Sequence, residues 1–158
     1  MRRRTLAIAA TASAVTLLVA LAIAVDPTLL IAGYETTTAE AVDGETNASL
    51  ATVEARIADG PVKQYVGLSG TDALPADRGM LFVHDDSAER AYVMRDMAFG
   101  LDILFVSADG TITSIHSAEP EERPFTRYRG TGRYVLEVPR GWSDRHGIEA
   151  SDRLVFDA

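Results

Sequence analysis

Residues 79–106, GMLFVHDDSAERAYVMRDMAFGLDILFV, carry the densest strand signal in the chain. Three apolar segments lie inside this stretch, at 80–83, 91–94 and 101–106, rich in Val, Ile, Phe, Tyr and Leu and bounded by Asp, Ser or Gly. Short runs of branched and aromatic residues between turn formers read as strands. The spacing predicts three consecutive strands in an antiparallel meander. The polar residues between them, His84, Asp85, Asp86, Arg95, Asp96 and Asp102, are the first candidates for chemistry.

Upstream of this stretch, residues 50–57 alternate well enough to predict a strand with Val53, Ala55 and Ile57 on one face. Asp59-Gly60-Pro61 opens a short helix over 61–68, because Pro fits a first helical turn and lacks only a donor that would be orphaned there. Downstream, Ala108-Asp109-Gly110 is a hairpin turn, 111–116 a strand, and 117–131 a long loop with Pro120 and Pro124. Residues 132–138 return to strand, 140–146 make a helical turn or two, and 153–156 close the sheet. The expected fold is mostly β: a small antiparallel β-barrel-like domain over 50–158, with one or two short helices, behind an N-terminal transmembrane helix.

That N-terminal element is read from Arg2-Arg3-Arg4 followed by twenty uncharged residues, 6–25. At about 1.5 Å per helical residue, such a run spans a bilayer core. Arginines ahead of a span stay cytoplasmic, so the rest of the chain is expected outside the membrane. Two readings stand for 1–32. An uncleaved signal anchor is favoured by the length of the run; a secretory signal peptide cut after Ala22-Ile23-Ala24 would leave the domain secreted. Residues 33–49, GYETTTAEAVDGETNAS, are polar, small and acidic, and read as a stalk or the start of an edge strand. They contain Asn47-Ala48-Ser49, an N-glycosylation sequon.

Composition narrows the chemistry. The 158 residues include no cysteine, which excludes disulfides, thiolate metal sites and cysteine nucleophiles. The formal charge is −8, and from Gly33 onward 22 acids face 12 bases. A surface so acidic repels phosphates, so no nucleic-acid partner is expected. Fourteen of the fifteen basic residues are Arg and only Lys63 is Lys. Acid-rich, lysine-poor sequences suit high-salt cells, where screening tolerates self-repulsion, and a halophilic source is the expectation.

Several short signatures recur in order: Gly67-Leu68; Gly79-Met80-Leu81-Phe82; Met94 ahead of Leu101-Asp102-Ile103-Leu104-Phe105 and Asp109-Gly110; and Tyr134-Val135-Leu136-Glu137-Val138 with Gly141. On these the chain, over roughly 50–157, resembles the domain-of-unknown-function 192 family of small bacterial and archaeal proteins. The resemblance implies a compact, mostly β, barrel-like domain, often behind an export signal or anchor, and no established reaction.

Asp102 and Glu137 each interrupt an apolar strand, where a carboxylate is costly unless paired or hydrogen-bonded. Facing one another, and joined by His116, they would make an acid–base or oxygen-ligand site for a small hydrolase or metal-dependent enzyme. Standing singly, each would be a structural carboxylate held by backbone amides or by an Arg such as Arg95 or Arg133. His84, His116, Met94 and Met97, with Met80 beside them, are the donor types that suit copper outside the cytoplasm. Arg95, Asp96, Phe125, Tyr128 and Trp142 flank loops and are candidates for a binding face. No nucleophile elbow, zinc helix or phosphate-cradling glycine loop is present. The expected function is therefore a non-catalytic binding or accessory module of the cell envelope with no predicted cofactor; an enzyme using Asp102, Glu137 and His116, and a copper-binding protein, are the alternatives.

Overall fold

The computed structural model describes residues 33–157. The anchor, cleavage and export readings of 1–32 lie outside those residues. Within them no helix is long and apolar enough to cross a membrane.

Seven strands and two short helices follow one another as β1 (Thr36–Val42), β2 (Ser49–Ala58), α1 (Pro61–Val66), β3 (Arg78–Tyr92), β4 (Leu101–Val106), β5 (Ile112–Ala118), β6 (Tyr128–Pro139), α2 (Trp142–His146) and β7 (Arg153–Val155). They form one sheet in the order β5-β4-β6-β3-β2-β1-β7. The sheet curls until its edges meet. An isolated bridge joins Thr111 to Arg153, and the Ile112 N–H donates to the Asp152 carbonyl at 2.8 Å. A curl that pairs its own edges leaves little open edge for a stray strand to join.

Three features depart from the expected meander. The 80–83 segment and the start of the 91–94 segment, Ala91 and Tyr92, belong to one strand, β3, whose pairing with β6 shifts between Val83 and Ala88. The polar run HDDSAER looks like a turn, but it is the solvent side of a bulge that bends the strand while it continues. β4 pairs with β5 and β6, so β6 separates it from β3. And β2 pairs with β3 in parallel, Ile57 opposite Leu81, with α1 in the crossover. Parallel neighbours need a connection of this kind.

Residues 33–49 also differ from a stalk. β1 sits between β2 and β7, with Ala39 and Ala41 fully buried. Two alanines under a Thr/Glu face carry too little apolar area to stand out in the sequence. Asn47 lies in the β1–β2 turn, exposed and left-handed (φ 56°), a conformation Asn tolerates well. Asp43 organises that turn by accepting from the Thr46 amide and hydroxyl, both at 2.7 Å. These bonds to the charged form hold the Asp43 carboxyl below its ordinary range.

Alternation along the strands divides the apolar residues between two faces. Ala39, Ala41, Val53, Ala55, Leu81, Leu104, Val106, Ile112, Leu136, Val138 and Leu154 pack together with Trp142 of α2. A cluster fed by all seven strands lies inside the curl. On the opposite face, Met80, Phe82, Ile103, Phe105 and Val135 form a second cluster with Leu68, Met94 and Leu101, extended by Tyr92 and Tyr128. That outer cluster is covered by α1 and the connections on either side of it.

One glycine is required by this outer packing. A Cβ on Gly130 would stand 2.3 Å from the ring of Phe105, a fully buried side chain. Gly130→Ala is expected to cost about 1–3 kcal/mol through overpacking, read as a lowered denaturation midpoint with unchanged slope.

Candidate functional site

The two carboxylates picked out in the sequence have opposite surroundings. Asp102 pairs with Val138 and Ile103 with Glu137, so Asp102 points into the inner cluster and Glu137 onto the outer face. The two do not face one another. Asp102 accepts three hydrogen bonds: from Ser117 Oγ (2.7 Å), the Gly141 amide (3.1 Å) and the Ser143 amide (2.9 Å). It thereby pins the first turn of α2 to the sheet. Gly141 supplies the left-handed residue (φ 77°) that turns the chain from β6 into that helix.

Glu137 has no such partners. It is 7 % exposed, it lies beside Met80 and Ile103, and no described residue donates a hydrogen bond to its carboxyl group. Burial alone pushes its pKa up to about 8, so it is largely protonated at neutral pH. An uncharged carboxylic acid both donates and accepts.

What lies in front of Glu137 is a cavity of about 540 Å³. Its walls come from α1 and the turn after it, from the far half of β3, and from the connection into β4; Gln64, His84, Arg90, Tyr92, Arg95 and Met97 contribute to them. The size is that of small-molecule sites. Each wall is fixed locally. Gln64 Nε2 donates to the Val83 carbonyl at 2.7 Å, docking α1 where the β3 pairing shifts. Arg90 is tied to Asp86 at 2.8 Å across the bulge. The Arg95 guanidinium lies over the Tyr65 ring, 4.1 Å from its centre, and donates to the Tyr65 carbonyl, joining the β3–β4 connection to α1.

Tyr92 and His84 are coupled at 3.0 Å, hydroxyl oxygen to Nε2. Burial, and next the nearby Glu137, raise the Tyr92 pKa far above the ordinary phenol range. Burial, and next Arg90, lower that of His84. A protonated phenol beside a neutral imidazole makes Tyr92 the donor and Nε2 the acceptor. Tyr92 also opens a row of edge-on rings, meeting Phe82 at 5.0 Å and Phe105 at 5.8 Å between centres. His116 continues the row at 5.7 Å from Phe105, and its Nε2 lies 2.8 Å from the Arg129 carbonyl.

The sequence candidates therefore scatter. Asp102 is inside the curl, Glu137 is in the cavity, and His116 is spent on Phe105 and a backbone carbonyl. His84 and His116 meet different rings, Met94 is buried in the outer cluster, and Met97 reaches the cavity wall. Among the described residues no three His, Asp or Glu side chains are grouped to hold a metal ion. Trp142, expected on a binding face, is 1 % exposed in the inner core. Asp96 is exposed in the β3–β4 connection, left-handed at φ 53°. Phe125 lines a shallow cleft with Arg123 and Arg127, and Tyr128 packs on the outer cluster. Gln64, Arg90, Arg123 and Arg127 carry no local signal in the sequence, and Tyr92 stands there only as part of the 91–94 apolar segment.

No curated protein matches the chain significantly. Two crystal structures share its fold. A candidate transcription regulator from Sinorhizobium meliloti 1021 is 27% identical, with a TM-score of 0.72 over 78% of this chain and 95% of that one. A protein of unknown function from Novosphingobium aromaticivorans DSM 12444 is 24% identical, with a TM-score of 0.70 over 79% of this chain and 88% of that one. The family model described as Uncharacterized ACR matches residues 42–156, which takes in every strand but the first and both helices. The chain belongs to that family, DUF192.

Proposed function

We propose that this domain is a non-catalytic module that binds a small ligand in the Glu137 cavity, held outside the membrane by its N-terminal segment. One observation carries the reading: a buried carboxyl group with no intramolecular partner faces a cavity of ligand size. A carboxyl group that meets no protein donor but reaches a cavity stands where a bound molecule, or water in its absence, can satisfy it. The scatter of Asp102, Glu137 and His116 speaks against the enzyme built from those three. A transcription-regulator role, the one given to the Sinorhizobium neighbour, sits poorly with 22 acids against 12 bases from Gly33 onward.

A second reading has support of its own. A carboxyl group with its pKa near neutrality, beside a phenol–imidazole pair, is also how a proton-transfer catalyst is tuned.

The test is a thermal-shift screen of the full chain against small metabolites, with Met97→Trp as the cavity-filled control, since Met97 packs on the outer cluster and lines the cavity. Compounds that raise the wild-type melting temperature, fail to raise that of a folded Met97→Trp, and are recovered unchanged support a binding module. Recovery of a transformed compound moves the assignment to catalysis. Ligands that bind Met97→Trp as well as wild type remove the cavity from consideration.

A further inference from the structure

Beside the cavity runs a second, shallower cleft lined by Val93, Arg95, Arg123, Pro124, Phe125 and Arg127. Val93 and Arg95 line both, so the two adjoin. Three of the six lining residues are arginines, and no carboxylate is among them. In so acidic a domain this is an unusual concentration of cations. Elsewhere, Arg78, Arg90, Arg129 and Arg140 are each paired with an acid, and Arg56 and Arg133 lie singly over tyrosine rings.

Two of the cleft arginines are held by aromatic rings. Arg95 lies over the Tyr65 ring and Arg123 over the Phe125 ring, at 4.1 and 5.1 Å from the ring centres. Stacking fixes a guanidinium through its face and leaves in-plane N–H donors for a planar or tetrahedral oxyanion. Neighbouring acids do not neutralise them. Among the described residues no ion pair joins Arg95, Arg123 or Arg127 to Asp96, Glu121 or Glu122, and Glu121 is taken up by the Thr126 amide and hydroxyl at 2.7 and 2.9 Å.

Resting on the cavity as a ligand site, we propose that Arg95, Arg123 and Arg127 form an oxyanion subsite. The ligand is then a small molecule whose carboxylate or phosphate rests on these arginines while its uncharged, hydrogen-bonding body enters the cavity toward Tyr92 and Glu137. Cationic ligands are excluded by the same arginines.

The experiment is an amide NMR titration of the full chain at constant ionic strength, with inorganic phosphate, acetate and, as a cation, choline. Phosphate or acetate is expected to give saturable shifts at residues 93–95, 123 and 125–127, and choline none there. Whichever anion binds more tightly names the source. Arg123→Gln with Arg127→Gln should weaken the anion at least about tenfold, whereas Arg153→Gln, an exposed arginine on β7, should not change it. Absence of saturable shifts with both anions, or shifts that persist in the double variant, overturns the assignment.

The two readings fail separately. If the arginine subsite is wrong, cavity ligands from the thermal screen bind the double variant as well as wild type. If the cavity is wrong, phosphate still binds the arginines in Met97→Trp while the screen yields nothing sensitive to that filling.

Discussion

Glu137→Gln is expected to stabilise the domain at neutral and alkaline pH, although it removes a native carboxyl group. The folded pKa of about 8 lies above the unfolded value of 4.5. Below pH 4.5 the group is protonated in both states, and its ionisation takes nothing from stability. Between 4.5 and 8 the unfolded chain releases its proton while the folded chain retains it, so stability falls as pH rises, and above 8 the loss is complete. At roughly 1.4 kcal/mol per unit, the full loss is on the order of 5 kcal/mol. Glutamine keeps the shape and stays uncharged, but it buries an amide with no described partner, which returns about 1–2 kcal/mol. The net gain should be about 3 kcal/mol above pH 8, turning into a small loss below pH 4.5. Denaturant titrations of both proteins across that range should therefore give curves that cross. Parallel curves would sink the idea that this carboxyl group is held uncharged by the fold.

A native sequence that tolerates such a cost at one buried position, and lines a cavity with it, spends stability where function can use it. The same reasoning makes ligand and proton interdependent. A ligand that accepts a hydrogen bond from protonated Glu137 should hold that proton to higher pH and bind less tightly once the group ionises.

How much of this was legible in the sequence depends on how local each signal is. Strands β2, β4 and β6 were readable because dense Val, Ile, Leu and Tyr runs bury both faces or alternate cleanly. β1 was obscured because its buried positions are Ala39 and Ala41, which differ little from the polar residues around them in apolar area. The continuity of β3 was hidden by its bulge, where exposed acids imitate a turn. The parallel pairing of β2 with β3 and the placement of β6 between β3 and β4 are long-range choices that no window of residues contains. The site followed the same rule. Both strand carboxylates stood out, because an acid inside an apolar run is conspicuous. Which was satisfied and which was not depended on amides 39 and 41 residues away, at Gly141 and Ser143.

Asp102 should respond in the opposite sense to Glu137. Asp102→Ala removes the acceptor for two backbone N–H groups and one hydroxyl at a position 1 % exposed. Orphaned buried donors and lost charge-assisted bonds together should cost on the order of 3–5 kcal/mol. Asp102→Asn keeps one acceptor oxygen and turns an NH₂ group toward a donor, so it should fall between wild type and Ala. The damage has a defined address. Gly141 and Ser143 bracket Trp142, the chain's one tryptophan, which packs inside the curl from α2. Its fluorescence should shift to the red at lower denaturant in Asp102→Ala than in wild type, together with loss of near-ultraviolet dichroism. Because Asp102 lies on the other face of the sheet, any Asp102→Asn protein that remains folded should bind cavity ligands as wild type does. Neutralising one carboxylate would then weaken the domain and spare the site, and neutralising the other would strengthen the domain and alter the site. Equal effects on stability from the two substitutions would mean that the sheet does not separate their roles.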